Sequence, residues 1–214
     1  RRELRSLYYP KSERVLRVLL NHPGRVWTLQ DLAATAGVSI GLVHKVKERL
    51  LGHEWVAQDT AGLRMVAPME VLDRWAENYR FAQNAASAYY SLDVRGTEDA
   101  LAAVCAELGI RYALTQFSGA ERIAPYVRYH RASAYVSAKH EEVAERLGLR
   151  AVSSGANVLL LQPYDEGVYY AARAAGGSMV VSPVQLYLDL LSSPARGAEA
   201  AAHLRRQEIE PAWT

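Results

Sequence analysis

The chain has a single cysteine, Cys105, among its 214 residues. One thiol closes no internal disulfide and builds no Cys-based metal cluster. No window approaches the roughly eighteen consecutive apolar residues that a membrane-spanning helix requires, so no membrane partner is expected. Gly-x-Ser-x-Gly, His-Glu-x-x-His and phosphate-loop patterns are also missing, which removes the commonest routes to acyl transfer, zinc hydrolysis and NTP hydrolysis. Arg1-Arg2-Glu3-Leu4-Arg5 is charged and no apolar segment follows it. That reads as the lack of an export signal and, with the lone thiol, places the expected location in the cytoplasm.

The residues that are present describe a globular chain: half are hydrophobic and 22% are charged, over a length sufficient for two domains. The net charge of +2 is unevenly divided. Residues 1–80 hold 13 Lys/Arg against 9 Asp/Glu, and residues 81–214 hold 12 against 14. A basic excess confined to the N-terminal part suits contact with phosphates.

The N-terminal pattern is ordered. Val15, Leu16, Leu19 and Leu20 form a helical stripe that Ser12 would cap and Asn21-His22-Pro23-Gly24 would stop. Arg25-Val26-Trp27 is a short extended piece. Thr28 caps a second helix over Leu29–Ala36, with Asp31 completing a short-acid capping box and Gly37 supplying the turn. Ser39 caps a third helix from Ile40 to Leu51 with Val43, Val46 and Leu50 inward. Residues 55–58 and 63–66 alternate on either side of Asp59-Thr60-Ala61-Gly62, a hairpin pattern. This order predicts a winged helix-turn-helix in residues 1–80, ending in a helix from Pro68 whose stripe is Val71, Leu72, Trp75 and Tyr79.

A helix of this kind enters a major groove by its N-terminal half. Ser39, Gly41, Leu42, His44 and Lys45 are therefore the candidate DNA-facing residues of the third helix. Thr28 and Gln30 suit phosphate contact at the start of the second, and Arg64 does so on the wing. The alternative is a winged helix used for protein contact. Lys47 and Arg49 read equally well as solvated charges, and His22 and His53 as helix-end residues.

Residues 81–214 read as a mixed-sheet α+β domain, α/β-like in its alternation. The expected strands are 88–94, 111–115, 134–137, 157–161, 168–170 and 179–181. Thr97 would cap a helix with Leu101, Val104, Cys105 and Leu108 inward. Glu141–Gly148 is a short helix, Ser182-Pro183 begins another with Val184, Leu188 and Leu191 inward, and a last one spans Gly197–Ile209. Cys105, on an apolar stripe, reads as core.

Ser118-Gly119 after a strand resembles the Gly-Ser turn of the nucleotidyltransferase fold. No Asp or Glu lies between Glu121 and Glu141 to hold the metal that chemistry needs, so a non-catalytic form of that fold is the expectation, with no enzyme activity, metal or cofactor. Asp165-Glu166-Gly167 reads as a turn. Arg122, Arg128, Tyr129 and Arg131, with Tyr126 and His130 between them, interleave basic and aromatic groups. That composition suits nucleic acid or an acidic partner; the plainer reading is a solvated loop over packed tyrosines.

Arg111-Tyr112-Ala113-Leu114-Thr115 with Ser118-Gly119-Ala120, and Val181-Ser182-Pro183-Val184-Gln185-Leu186-Tyr187-Leu188-Asp189-Leu190 followed by Gly197-Ala198-Glu199-Ala200-Ala201, resemble the AbiEi-type antitoxin and transcriptional-regulator family of type IV toxin–antitoxin systems. The resemblance implies an N-terminal domain that binds double-stranded operator DNA and represses its own promoter. It implies a C-terminal antitoxin domain that opposes a nucleotidyltransferase-like toxin without a stable complex. Gln116-Phe117 departs from the family, which often places Gly there. A one-component regulator that senses a small molecule beside Ser118 and Gly119 is the competing reading; a nuclease using Asp165 or Glu166 is a weaker one. Oligomeric state stays open.

Overall fold

The computed structural model describes residues 6–213 and is an α+β protein. One compact unit runs to Tyr79 and takes in Trp213; the other is Arg80–Ala212. No helix among the described residues is long and apolar enough to cross a membrane.

The first unit begins with α1 (Pro10–Asn21), α2 (Leu29–Ala36) and α3 (Ile40–Gly52). Strands β1 (Val56–Gln58) and β2 (Leu63–Met65) pair antiparallel, and α4 (Pro68–Asn78) follows. Ser12 does not cap α1. The helix starts earlier, at Pro10, whose missing N–H costs nothing in the first turn, and Ser12 lies buried inside it. The apolar stripe of α1 is fully enclosed, and two charged residues are buried with it. Glu13 and Arg17 lie 3.7 Å apart, the Trp75 indole N–H of α4 donates to Glu13 Oε1 at 3.1 Å, and the Arg17 guanidinium sits 4.9 Å from the Trp75 ring centre. The Pro68 helix thus contributes its Val71, Leu72 and Trp75 to the core of this unit.

The second unit is built on a seven-stranded mixed sheet in the order β6-β3-β7-β5-β4-β9-β8. Its strands are β3 (Ala85–Tyr90), β4 (Tyr112–Leu114), β5 (Ala132–Val136), β6 (Arg150–Ala151), β7 (Val158–Gln162), β8 (Arg173–Ala175) and β9 (Ser178–Val180). β5 pairs parallel with β7 and β4 with β9; the remaining pairs are antiparallel. Its helices are α5 (Val94–Glu107), α6 (Gln116–Ile123), α7 (His140–Arg146), α8 (Pro183–Leu191) and α9 (Gly197–Leu204). All five residues of β5 are buried, so both faces of this central strand are covered. α5 packs on α7 and on β4 and β5, while α6, α8 and α9 pack together.

Several sequence expectations shift here. Asp93, not Thr97, caps α5: its carboxylate accepts the Gly96 N–H at 2.8 Å, while Thr97 lies inside the helix and donates back to the Asp93 carbonyl. Residues 168–170 form no strand, because Asp165 accepts the Gly167 N–H and turns the chain into a 3-10 turn over Glu166–Tyr169. Leu191 is 38% exposed rather than inward. Ser182 does cap α8, accepting the Gln185 N–H, and Gly197–Leu204 continues through a π turn to Ile209.

Cys105 is enclosed on α5, and burial pushes its thiol up to about 11. A thiol titrating there is roughly a hundredfold less ionised at pH 8 than an ordinary cysteine. The native protein is therefore expected to react with an aromatic disulfide reagent at least about a hundredfold more slowly than the unfolded chain. Equal rates before and after denaturation would contradict this burial.

Candidate nucleic-acid interface

The α2–α3 corner is held by local hydrogen bonds. Thr28 Oγ1 accepts the Asp31 N–H at 3.0 Å and donates to Asp31 Oδ2 at 2.8 Å, closing the first turn of α2. Gly37 ends that helix at φ +62°, a conformation that strains any residue with a Cβ. Ser39 Oγ then accepts the Leu42 N–H at 3.3 Å and starts α3.

α3 divides into two sides. Val43, Val46 and Leu50 are completely buried. Ser39, Gly41 and Lys45 are exposed, Leu42 and His44 are half-buried, and nothing approaches within 4 Å of where a Gly41 Cβ would stand. Thr28 and Gln30 are exposed at the start of α2. Arg64 is exposed on β2 between buried Leu63 and Met65, and so stands on the outer face of the hairpin. The structure thus brings five of the eight predicted DNA-facing residues onto the first turns of α3, with two at the head of α2 and Arg64 apart on the hairpin.

Two details go beyond the expectations from the residue pattern. Ile40, the first residue of α3, is 56% exposed beside Gly41; an isoleucine directly after a cap residue was the available signal. Lys47 is not a solvated charge: it is buried, with its ammonium 3.0 Å from Glu48, which also lies 3.8 Å from His44 Nδ1. His53 ends α3 and stacks on Trp55, and His22 ends α1 near Trp27.

The hairpin is fixed to the helices' connecting segment. Trp27 and Leu63 exchange two backbone hydrogen bonds of 2.8 Å. Asp59 Oδ1 accepts the Ala61 and Gly62 N–H groups at 2.8 and 3.2 Å. Gly62 has φ +143°, and a Cβ there would lie 2.5 Å from the Trp27 carbonyl oxygen.

The basic–aromatic stretch of the second unit separates into two kinds of residue. Arg122 is turned inward: it donates to Asp99 Oδ1 at 2.7 Å, to the Gly176 carbonyl at 2.8 Å and to Glu98 Oε2 at 3.4 Å. The Tyr129 hydroxyl donates to the same Glu98 oxygen at 2.7 Å; burial and that carboxylate together raise its pKa. Both residues therefore serve the internal neutralisation of a fully buried Glu98. Arg128 and Arg131 are exposed and have no hydrogen-bond or ion-pair partner among the described residues.

Ser118 and Gly119 form no turn; they lie within α6 and are buried. Ser118 Oγ accepts the Ser133 N–H of β5 at 2.9 Å. A Cβ on Gly119 would stand 2.9 Å from Leu186 Cδ1 and 3.1 Å from the Leu114 carbonyl, so the absent side chain lets α6 lie close on the sheet and α8. The pair acts in helix packing, and no phosphate can reach it. Asp165 and Glu166 are occupied as well, the first in its turn and the second 3.0 Å from Arg111. Among the described residues no group of three or more His, Cys, Asp or Glu could hold a metal ion.

A family match places the chain in the class of transcriptional regulators. Residues 64–210 match the model of the family described as "Transcriptional regulator, AbiEi antitoxin, Type IV TA system", and the chain belongs to that family. The match starts within β2, so α1, α2 and α3 precede it. No curated protein and no solved structure matches the chain.

Proposed function

We propose that the N-terminal unit is a winged helix-turn-helix that binds operator DNA and represses the promoter of its own toxin–antitoxin pair. The observation that carries the reading is α3: a rod capped by Ser39, its apolar side fully buried and the first turns of its other side open, with Lys45 outward. A major groove is wide enough for one such helix, and the small residues Ser39 and Gly41 let backbone and bases approach. Ile40 offers an apolar contact to a thymine methyl, and His44 and Lys45 offer donors to guanine acceptors. Thr28, Gln30 and Arg64 are assigned to phosphates on either side.

The C-terminal unit is assigned the antitoxin activity, opposing a nucleotidyltransferase-like toxin without a stable complex. A non-catalytic nucleotidyltransferase-like sheet accords with a β5 strand that carries no carboxylate and a Ser-Gly pair enclosed by packing.

A gel-shift titration against the chain's own promoter tests the DNA surface. Lys45→Ala is expected to weaken specific binding by about 1–3 kcal/mol, roughly 5- to 150-fold, with little change on unrelated DNA. Arg64→Ala is expected to weaken binding on all sequences and lower the salt slope by about one. Parent-like binding by both variants would remove the proposed surface.

A further inference from the structure

A cavity of about 650 Å³ opens in the C-terminal unit between the start of α6, the 127–131 loop and the segment joining α8 to α9. Three arginines line it, Arg128, Arg131 and Arg196, and none of its lining residues is Asp or Glu. Arg196 is shared with Glu199 outside the lining, whereas Arg128 and Arg131 have no internal partner among the described residues. Exposed cations gathered around a concave surface without carboxylates create a field that favours an anion.

Two largely buried polar residues also line this cavity. Gln116 is 8% exposed and Ser133 is 2% exposed; both line the cavity, and neither side chain has a hydrogen-bond partner among the described residues. Their polar atoms are not sealed off, so the open cavity is where water or a ligand completes their hydrogen bonding. Gln116 also stands at φ +49°, at the turn from β4 into α6. That conformation is strained for a residue with a Cβ, and strain of this kind collects where a side chain must be presented to a ligand. Glycine would relieve the strain but would offer no amide.

Phe117 and Phe81 add aromatic surface to the lining. The volume falls within the usual range for small-molecule sites. We infer that this cavity binds a nucleoside triphosphate. Arg128, Arg131 and Arg196 hold the phosphates, Phe81 and Phe117 the base, and the Gln116 amide and Ser133 hydroxyl the polar edge of the ligand. Ser118 and Gly119 take no part.

Isothermal titration of the full chain with ATP, GTP, CTP and UTP, without added metal, tests this, with tripolyphosphate and the four nucleosides as separate arms. At least one triphosphate is expected to bind with Kd below about 100 μM, and more tightly than either its nucleoside or tripolyphosphate. Arg128→Ala and Arg131→Ala are each expected to weaken it about tenfold. Arg206→Ala, an equal change of charge outside the cavity, should leave it unchanged. Gln116→Gly is expected to raise the melting temperature of the ligand-free protein by about 2–4 °C while weakening the ligand. Three results would overturn the site: no triphosphate binding at millimolar concentration, tripolyphosphate binding as tightly as any nucleotide, or an Arg206→Ala loss equal to that of Arg128→Ala. A Gln116→Gly variant that is stabilised and keeps full affinity would remove Gln116 from it.

Discussion

Replacing Asp189 by alanine is expected to destabilise the C-terminal unit by about 3 kcal/mol. Asp189 is fully buried on α8 and ties that helix to the sheet. Its Oδ2 accepts from the Thr115 hydroxyl at 2.5 Å and the Tyr135 hydroxyl at 3.0 Å, and its Oδ1 accepts from Gln185 Nε2 at 2.9 Å. The chain of bonds continues, since Asn84 Nδ2 donates to the Tyr135 oxygen and Asn84 Oδ1 accepts the Tyr164 N–H. Alanine would leave three buried donors facing a void, each worth about 1–3 kcal/mol when unsatisfied, offset in part by no longer burying a carboxylate. Asn keeps the volume and one acceptor, so Asp189→Asn should lose about half as much. Guanidinium unfolding followed by circular dichroism reads both. A loss below about 1 kcal/mol for alanine would mean that the network carries little of the stability assigned to it.

Trp75→Ala should have a still larger effect on the N-terminal unit, about 3–5 kcal/mol. The indole is fully enclosed, and its removal takes away both the Glu13 hydrogen bond and the ring beneath Arg17. A small domain has only about 5–15 kcal/mol in total. This variant is therefore expected to lose the proposed operator binding although Trp75 is enclosed, with a matching loss of the unit's cooperative melt. Trp75→Phe keeps most of the buried area and loses the donor, so it should cost about 1–2 kcal/mol and leave DNA affinity near that of the parent. An alanine variant that melts normally would show that Trp75 packs less tightly than its enclosure implies.

Local chemistry made much of the first unit legible from its residues. Thr28, Ser39 and Gly37 act within three or four residues of themselves, so the cap and turn types near α2 and α3 follow from sequence spacing. The second unit depends more on distant partners. Ser118-Gly119 has the composition of a turn, yet the space that Gly119 leaves is filled by Leu186 and Val180 from far along the chain. Arg122 and Tyr129 look like a free basic–aromatic pair until Glu98, on α5, is brought beside them. The tyrosines at 169 and 170 favour a strand by propensity, but the Asp165 turn decides otherwise. β6 and β8 have two and three residues, too few to show an alternating pattern. Gln116 stood out as a departure from an expected glycine, and its positive φ is a conformation that glycine adopts without strain.

Those two short edge strands have a consequence for how the molecule lives among its copies. They are the outermost members of the sheet, and each carries an arginine, Arg150 on one rim and Arg173 on the other. A rim this brief, marked with cations, gives a neighbouring chain little backbone to zip onto. Crowding at high expression should therefore leave the sheet free of edge-to-edge filaments.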